Sequence, residues 1–373
     1  VEGFLKFSPV KMNTDLTLER LPATARRPIH EHDSDQSFLT KLIPRDKWYQ
    51  FTILWSLLQC IVIGILEGII VTIHYDYVEK LKEYPQIPNV DQKMLTTVPN
   101  AQALIVYQIL FIFAQVFQLY LCVDAITSLS VIQIIATAVF NWSLFGYSIM
   151  QFNQASNVVN ENIFVLDPII HPTAKYEIVV IVFMSIFAVV WAYLALRLYR
   201  LFGWKLYKEI GADVSIMKSL KLYHIYMMLL KLDVFFFFGF DIQFLVLVLI
   251  SRPGRSVDTS VTIVHVALVI PLTIALLAVA FFAIRRESRN LTYITLVGFL
   301  AGIIFLIAKL VEVWTNPDQG KYLNSKKSIT FFSKLTFHSC IVSLTIIMCT
   351  LTFIALILNY RRYGKGLKEK LHH

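Results

Sequence analysis

Long apolar runs and short polar connections alternate along this chain. Eight apolar segments recur, at 51–74, 101–123, 129–150, 176–196, 222–250, 261–284, 291–314 and 335–360. At about 1.5 Å per residue, each is long enough to match a ~30 Å hydrocarbon core. None alternates polar and apolar positions over the ~10 residues that a barrel strand requires. The pattern predicts an all-α polytopic membrane protein, a bundle of eight transmembrane helices. The short link Asp124-Ala125-Ile126-Thr127-Ser128 predicts an antiparallel hairpin between the second and third helices.

One segment dictates terms to the others. The run 222–250, LYHIYMMLLKLDVFFFFGFDIQFLVLVLI, carries Lys231, Asp233 and Asp241. Ionisable groups are expensive in hydrocarbon and face protein or water, so this helix must be enclosed by its neighbours. The Phe235–Phe238 stretch within it reads as packing and lipid contact. Composition agrees with a membrane chain: 57% of residues are hydrophobic, 16% are charged, and the mean hydropathy is +0.63. These values lie outside the soluble globular range. Cys60, Cys122, Cys340 and Cys349 all fall in apolar runs, as small packing residues rather than disulfide partners. There is no phosphate-binding glycine loop, zinc-type spacing or serine-hydrolase elbow. The reading is therefore not an enzyme, with no cofactor, no metal site and no catalytic residue.

Residues 1–47 are polar and without apolar periodicity, and read as a largely disordered cytosolic tail. Residues 48–360 form the membrane domain and 361–373 a basic cytosolic tail. With the N-terminus inside, the cytosolic pieces hold 22 of the Lys and Arg residues and the opposite side 10. That bias puts both termini in the cytosol, and the net charge of +9 marks cytosolic loops, not nucleic acid. Asn290-Leu291-Thr292 then lies inside and Asn141-Trp142-Ser143 within a helix, so no usable glycosylation site remains.

The cytosolic loop 197–221 interleaves Arg197, Arg200, Lys205 and Lys208 with aromatic residues such as Trp204, and Gly211 is placed to end its helix. Such a segment suits the headgroup region of an anionic cytosolic leaflet, making membrane lipids a partner. FGWKLYKEIGAD here, WAYLALRLYR before it and LLKLDVFFFFGFDIQFLVLVL after it resemble a fungal family of Golgi apparatus membrane proteins. The resemblance is strongest over residues 191–250. It implies a Golgi or endomembrane location and supplies no catalytic residue.

Four buried ionisable residues fall in one layer. Counted from mid-membrane at about 1.5 Å per residue, Glu67 and Asp241 lie ~7 and ~6 Å towards the lumen, and His265 and Lys309 both ~10 Å. Two readings stand. Lys309 pairs with Glu67 or Asp241 to neutralise charge, or the four line a cavity for an ion, a proton or a small solute. Gly64-xxx-Gly68 and Gly298-xxx-Gly302 make helices one and seven candidate neighbours, and Pro271 predicts a kink in helix six. Asp124 reads as a solvated turn residue, with an ion pair to Lys231 as the alternative. Functionally, the first reading is an escort, scaffold or trafficking factor with a membrane-protein partner, and the alternative is a secondary transporter or channel using the charged layer. In sealed endomembrane vesicles, external protease should remove a tag placed after residue 373, and endoglycosidase should leave the protein's mobility unchanged.

Overall fold

A computed structural model describes residues 46–83, 91–160, 172–210, 214–249, 263–315 and 329–363. All belong to one compact unit, Ile43–His373. Of the predicted tails 1–47 and 361–373, residues 1–45 and 364–373 lie outside the described residues, as does Gly211.

Among the described residues there are eight helices and no strand. They are α1 Lys47–Glu83, α2 Asp91–Thr127, α3 Val131–Asn160, α4 Pro172–Ile210, α5 Val214–Leu249, α6, α7 Arg289–Thr315 and α8 Ile329–Tyr360. Helix α6 opens with a π-helical turn, His265–Val269, and continues as Ile270–Arg285. Every apolar run lies on its own helix. Seven helices, all but α5, are long and apolar enough to cross a membrane. The basic segment 197–210 continues α4 without a break, as the helical extension its sequence suits.

Two links show how the chain reverses. Ser130 donates its backbone N–H to the Ala125 carbonyl at 3.2 Å while Leu129 takes φ 47°. At the α6–α7 link, Ser288 donates to Ala283 at 3.2 Å and Glu287 takes φ 49°. Both are left-handed helix stops that satisfy terminal carbonyls otherwise orphaned. The α2–α3 hairpin is as the sequence predicts.

The helices close into two rings of four. In the first, α1 packs on α2 and α4, and α3 packs on the same two. In the second, α5 packs on α6 and α8, and α7 packs on the same two. Buried positions follow steps of three and four residues. On α1 they run Thr52, Ser56, Gln59, Ile63, Glu67, Ile70, His74 and Val78; on α5, Ser219, Tyr223, Tyr226, Leu230, Asp233, Phe237, Phe240 and Phe244. This spacing is that of left-handed bundle packing, in which one stripe of each helix meets the others along a shared axis. The outward faces are apolar: Leu54, Ile65, Val189, Leu196 and Val297 are each more than half exposed, as suits contact with lipid.

Helix α5 is the wall between the rings. Its Met228, Leu232, Phe235 and Phe236 join the core of the first ring, and its Leu230, Phe237 and Phe240 that of the second. Phe235 stacks on Phe117 and meets the Phe140 ring edge-on, both at 5.0 Å between centroids. The Phe run is packing, as expected. Lys231 forms an ion pair with Asp124 at the end of α2. Asp124 is therefore not the free turn residue anticipated, because α5 passes close enough for the lysine stem to reach it.

The glycine motifs behave differently from expectation. A Cβ at Gly298 would lie 2.3 Å from Leu276 Cδ1 of α6, so that glycine permits the α6–α7 approach. At Gly64, Gly68 and Gly302 a Cβ would meet nothing within 4 Å. Helix α1 takes α2 and α4 as its main neighbours, not α7. Gly298→Val should therefore lower stability by about 1–3 kcal/mol through overpacking, while Gly64→Val should leave the melting temperature in detergent unchanged.

Candidate functional site

An amide side chain in a membrane interior has no water to bind and must find partners within the protein. The first ring holds many such groups along its axis. Trp191 Nε1 donates to Gln59 Oε1 at 2.8 Å, and Gln59 Nε2 donates to Gln115 Oε1 at 2.9 Å. Gln118 Nε2 donates to the Thr137 carbonyl at 3.2 Å. This layer joins all four helices.

Further along the axis the polar groups are acidic. Gln151 Nε2 donates to Glu67 Oε2 at 2.9 Å, and Glu67 is 1% exposed. Glu177 of α4, 4% exposed, and Tyr147 of α3 lie within electrostatic reach of Glu67. Tyr147 donates its hydroxyl to the Tyr107 carbonyl at 3.2 Å. Beyond them, His74 Nδ1 and Gln108 Nε2 are 2.6 Å apart. With the amide donating, His74 Nδ1 accepts, and Nε2 carries the ring proton.

Many atoms here have no partner: Gln108 Oε1, Gln151 Oε1, Glu177 Oε1, His74 Nε2 and both polar atoms of Gln154. Each buried polar atom left unpaired costs about 1–3 kcal/mol. A native interior concentrates such atoms where water or a ligand completes them. Of the six atoms named, four are acceptors and two, His74 Nε2 and Gln154 Nε2, are donors. Within the buried stripes of α1–α4 the acidic groups are Glu67 and Glu177, the only basic one is His74, and there is no Lys or Arg. The axis attracts positive charge.

The second ring holds the other predicted residues. Ile270 donates its N–H to the His265 carbonyl, five residues back, and Pro271 beside it has no N–H to give. A wider π turn thus stands just before the proline, at the place where the sequence predicts a kink. His265 Nε2 is 3.1 Å from Asp241 Oδ1, and its ring lies 4.2 Å from that of Phe244. Lys309 Nζ lies 5.3 Å from the Phe244 centroid and 5.9 Å from that of Phe305. Asp241, His265 and Lys309 thus gather round Phe244. Glu67 does not join them, since α1 and α7 belong to different rings. Asp241 Oδ1 meets His265 Nε2, and the lysine ammonium lies over aromatic faces that attract it.

At the basic end of α4, the Arg197 guanidinium lies 5.0 Å over the Trp48 ring, with Arg200, Tyr193 and Tyr199 exposed beside it. Trp204, Lys205 and Lys208 lie in the last turns of the same helix, and their side chains are outside the described residues. Among the described residues no three His, Cys, Asp or Glu side chains converge as a metal site. Charge alone did not disclose the axis of the first ring. The signal was glutamine: Gln108 and Gln115, seven residues apart, and Gln59 and Gln118 inside apolar runs.

Over 94% of its length the chain is similar to a UPF0658 Golgi apparatus membrane protein of Schizosaccharomyces pombe, with 26% identity and 97% of that protein covered. The likeness seen at residues 191–250 thus extends almost end to end. No family model matches the chain, and no solved structure does. Trp191→Phe keeps the aromatic packing but strands the Gln59 oxygen, so unfolding in detergent should show a loss of about 1–3 kcal/mol.

Proposed function

With this chain taken as a multi-pass integral membrane protein of the Golgi apparatus, of the UPF0658 family, we propose that it binds and conducts a small cation through its first four-helix ring. It acts as a carrier or channel, without enzymatic chemistry. In this reading α5 is the eighth membrane span, and the Lys and Arg bias sets both termini in the cytosol. One observation carries the proposal: Glu67 and Glu177 are buried together on an axis that, among the described residues, holds no Lys or Arg. A carboxylate inside a membrane requires a compensating positive charge or water. Neighbouring amide oxygens of Gln108, Gln151 and Gln154 have unused acceptor capacity for either.

The basic end of α4 contributes anchorage. Arg197 and Arg200 beside Trp48 and Tyr193 suit the phosphates and interface of an anionic leaflet. The escort or scaffold reading leaves the two axial carboxylates without work, so it becomes the alternative outcome of the test.

Purified protein in liposomes, supplied in turn with monovalent cations, divalent cations and a small primary amine, should accumulate one of them. Glu67→Gln should reduce that flux by at least about tenfold, equivalent to ~1.4 kcal/mol, with yield and melting temperature retained. Absence of flux for every cation, together with normal growth of cells carrying Glu67→Gln and Glu177→Gln, would leave the escort reading in its place.

A further inference from the structure

The second ring contains a carboxyl group that neither the acidic axis nor the His265 cluster uses. Asp233 occupies a central stripe position of α5 and is 0% exposed. Neither of its oxygens completes a hydrogen bond. The groups around it decide its state. Thr352 faces it from α8, but the Thr352 hydroxyl donates to the Met348 carbonyl at 3.1 Å. Tyr226, two stripe positions away, donates its hydroxyl to the Ala280 carbonyl of α6 at 3.1 Å. Lys231, two residues distant, turns to Asp124 on the opposite side. Cys349 of α8 is the remaining titratable group within reach, and a thiol is only a weak donor. From α7 the same core receives Phe299, and from the first ring α5 meets Phe117 and Phe140.

An ionised Asp233 would thus face an acceptor oxygen across α5–α8, in an apolar core, with no basic side chain paired to it among the described residues. A neutral Asp233 reverses the mismatch. Its own O–H is the donor that the spare lone pair of Thr352 lacks. Burial without a counter-charge disfavours the ion, and one proton removes the conflict.

We infer that Asp233 is a proton-binding site, held as the neutral acid while α5 and α8 are packed together and able to release its proton when they part and admit water. The inference rests on the geometry of the second ring alone, and stands or falls apart from cation conduction by the first.

Infrared spectroscopy of the full-length protein in lipid at neutral pH tests it directly. The expected result is a protonated-carboxyl stretch that is lost in Asp233→Asn and retained in Glu67→Gln. Asn mimics the neutral acid in size and charge, so its melting temperature should stay near that of the unaltered protein. If Asp233→Asn fails to fold, Asp233→Glu serves instead, and should move the band in frequency without abolishing it. A carboxyl region that neither substitution changes would mean that Asp233 is ionised, and would overturn the inference.

Discussion

A helix that carries charge through hydrocarbon has to be surrounded, and this requirement shapes the whole molecule. Helix α5 carries Lys231, Asp233 and Asp241, and each is taken up on a different side. Lys231 reaches Asp124 on α2, Asp233 faces the core shared with α8, and Asp241 meets His265 of α6. A single helix can satisfy all three only if helices stand on nearly all of its faces. The two rings of four supply them, with α5 as the common wall. Were α5 at the periphery, at least one of these groups would face lipid at a cost of several kcal/mol.

The rings differ in what they enclose. The second is largely aromatic and aliphatic within, relieved by Asp233 and by threonines whose hydroxyls donate to backbone carbonyls of their own helices. The first is lined at every second or third stripe position by an amide, a carboxyl or an imidazole. Polar lining lowers stability unless it is completed, and completion by a ligand or water converts the liability into a binding site. At one end of this ring Tyr49, Cys122, Ile126, Trp191, Leu198 and Phe202 make an apolar plug.

The relationship to the Golgi membrane protein of Schizosaccharomyces pombe covers almost the whole of both chains. The similarity is therefore not confined to one segment of either chain. Chemistry has to come from the site itself. There, unpaired acceptors beside two buried carboxyl groups speak for a cation, and a carboxyl buried without a hydrogen-bond partner speaks for a proton.

The amino-acid sequence determined the class of the protein, the number of helices, the α2–α3 hairpin and the need to enclose α5. These depend on chain-local quantities: the length of an apolar run, the residues between two runs, and the cost of a charge in oil. Which charges meet was not local. Glu67 and Lys309 share a depth, but depth gives one coordinate of three, and the rings set their helices apart. GxxxG likewise allows close approach without choosing the partner, and only Gly298 uses it. Lys231 could reach Asp124 because α5 passes the end of α2, which no spacing along the chain encodes. Tertiary structure alone decided the acidic axis, since a glutamine or glutamate in an apolar run is read as polar or charged by its letter. Whether it points to lipid, to a partner or to an unfilled interior depends on where four separate helices turn their stripes.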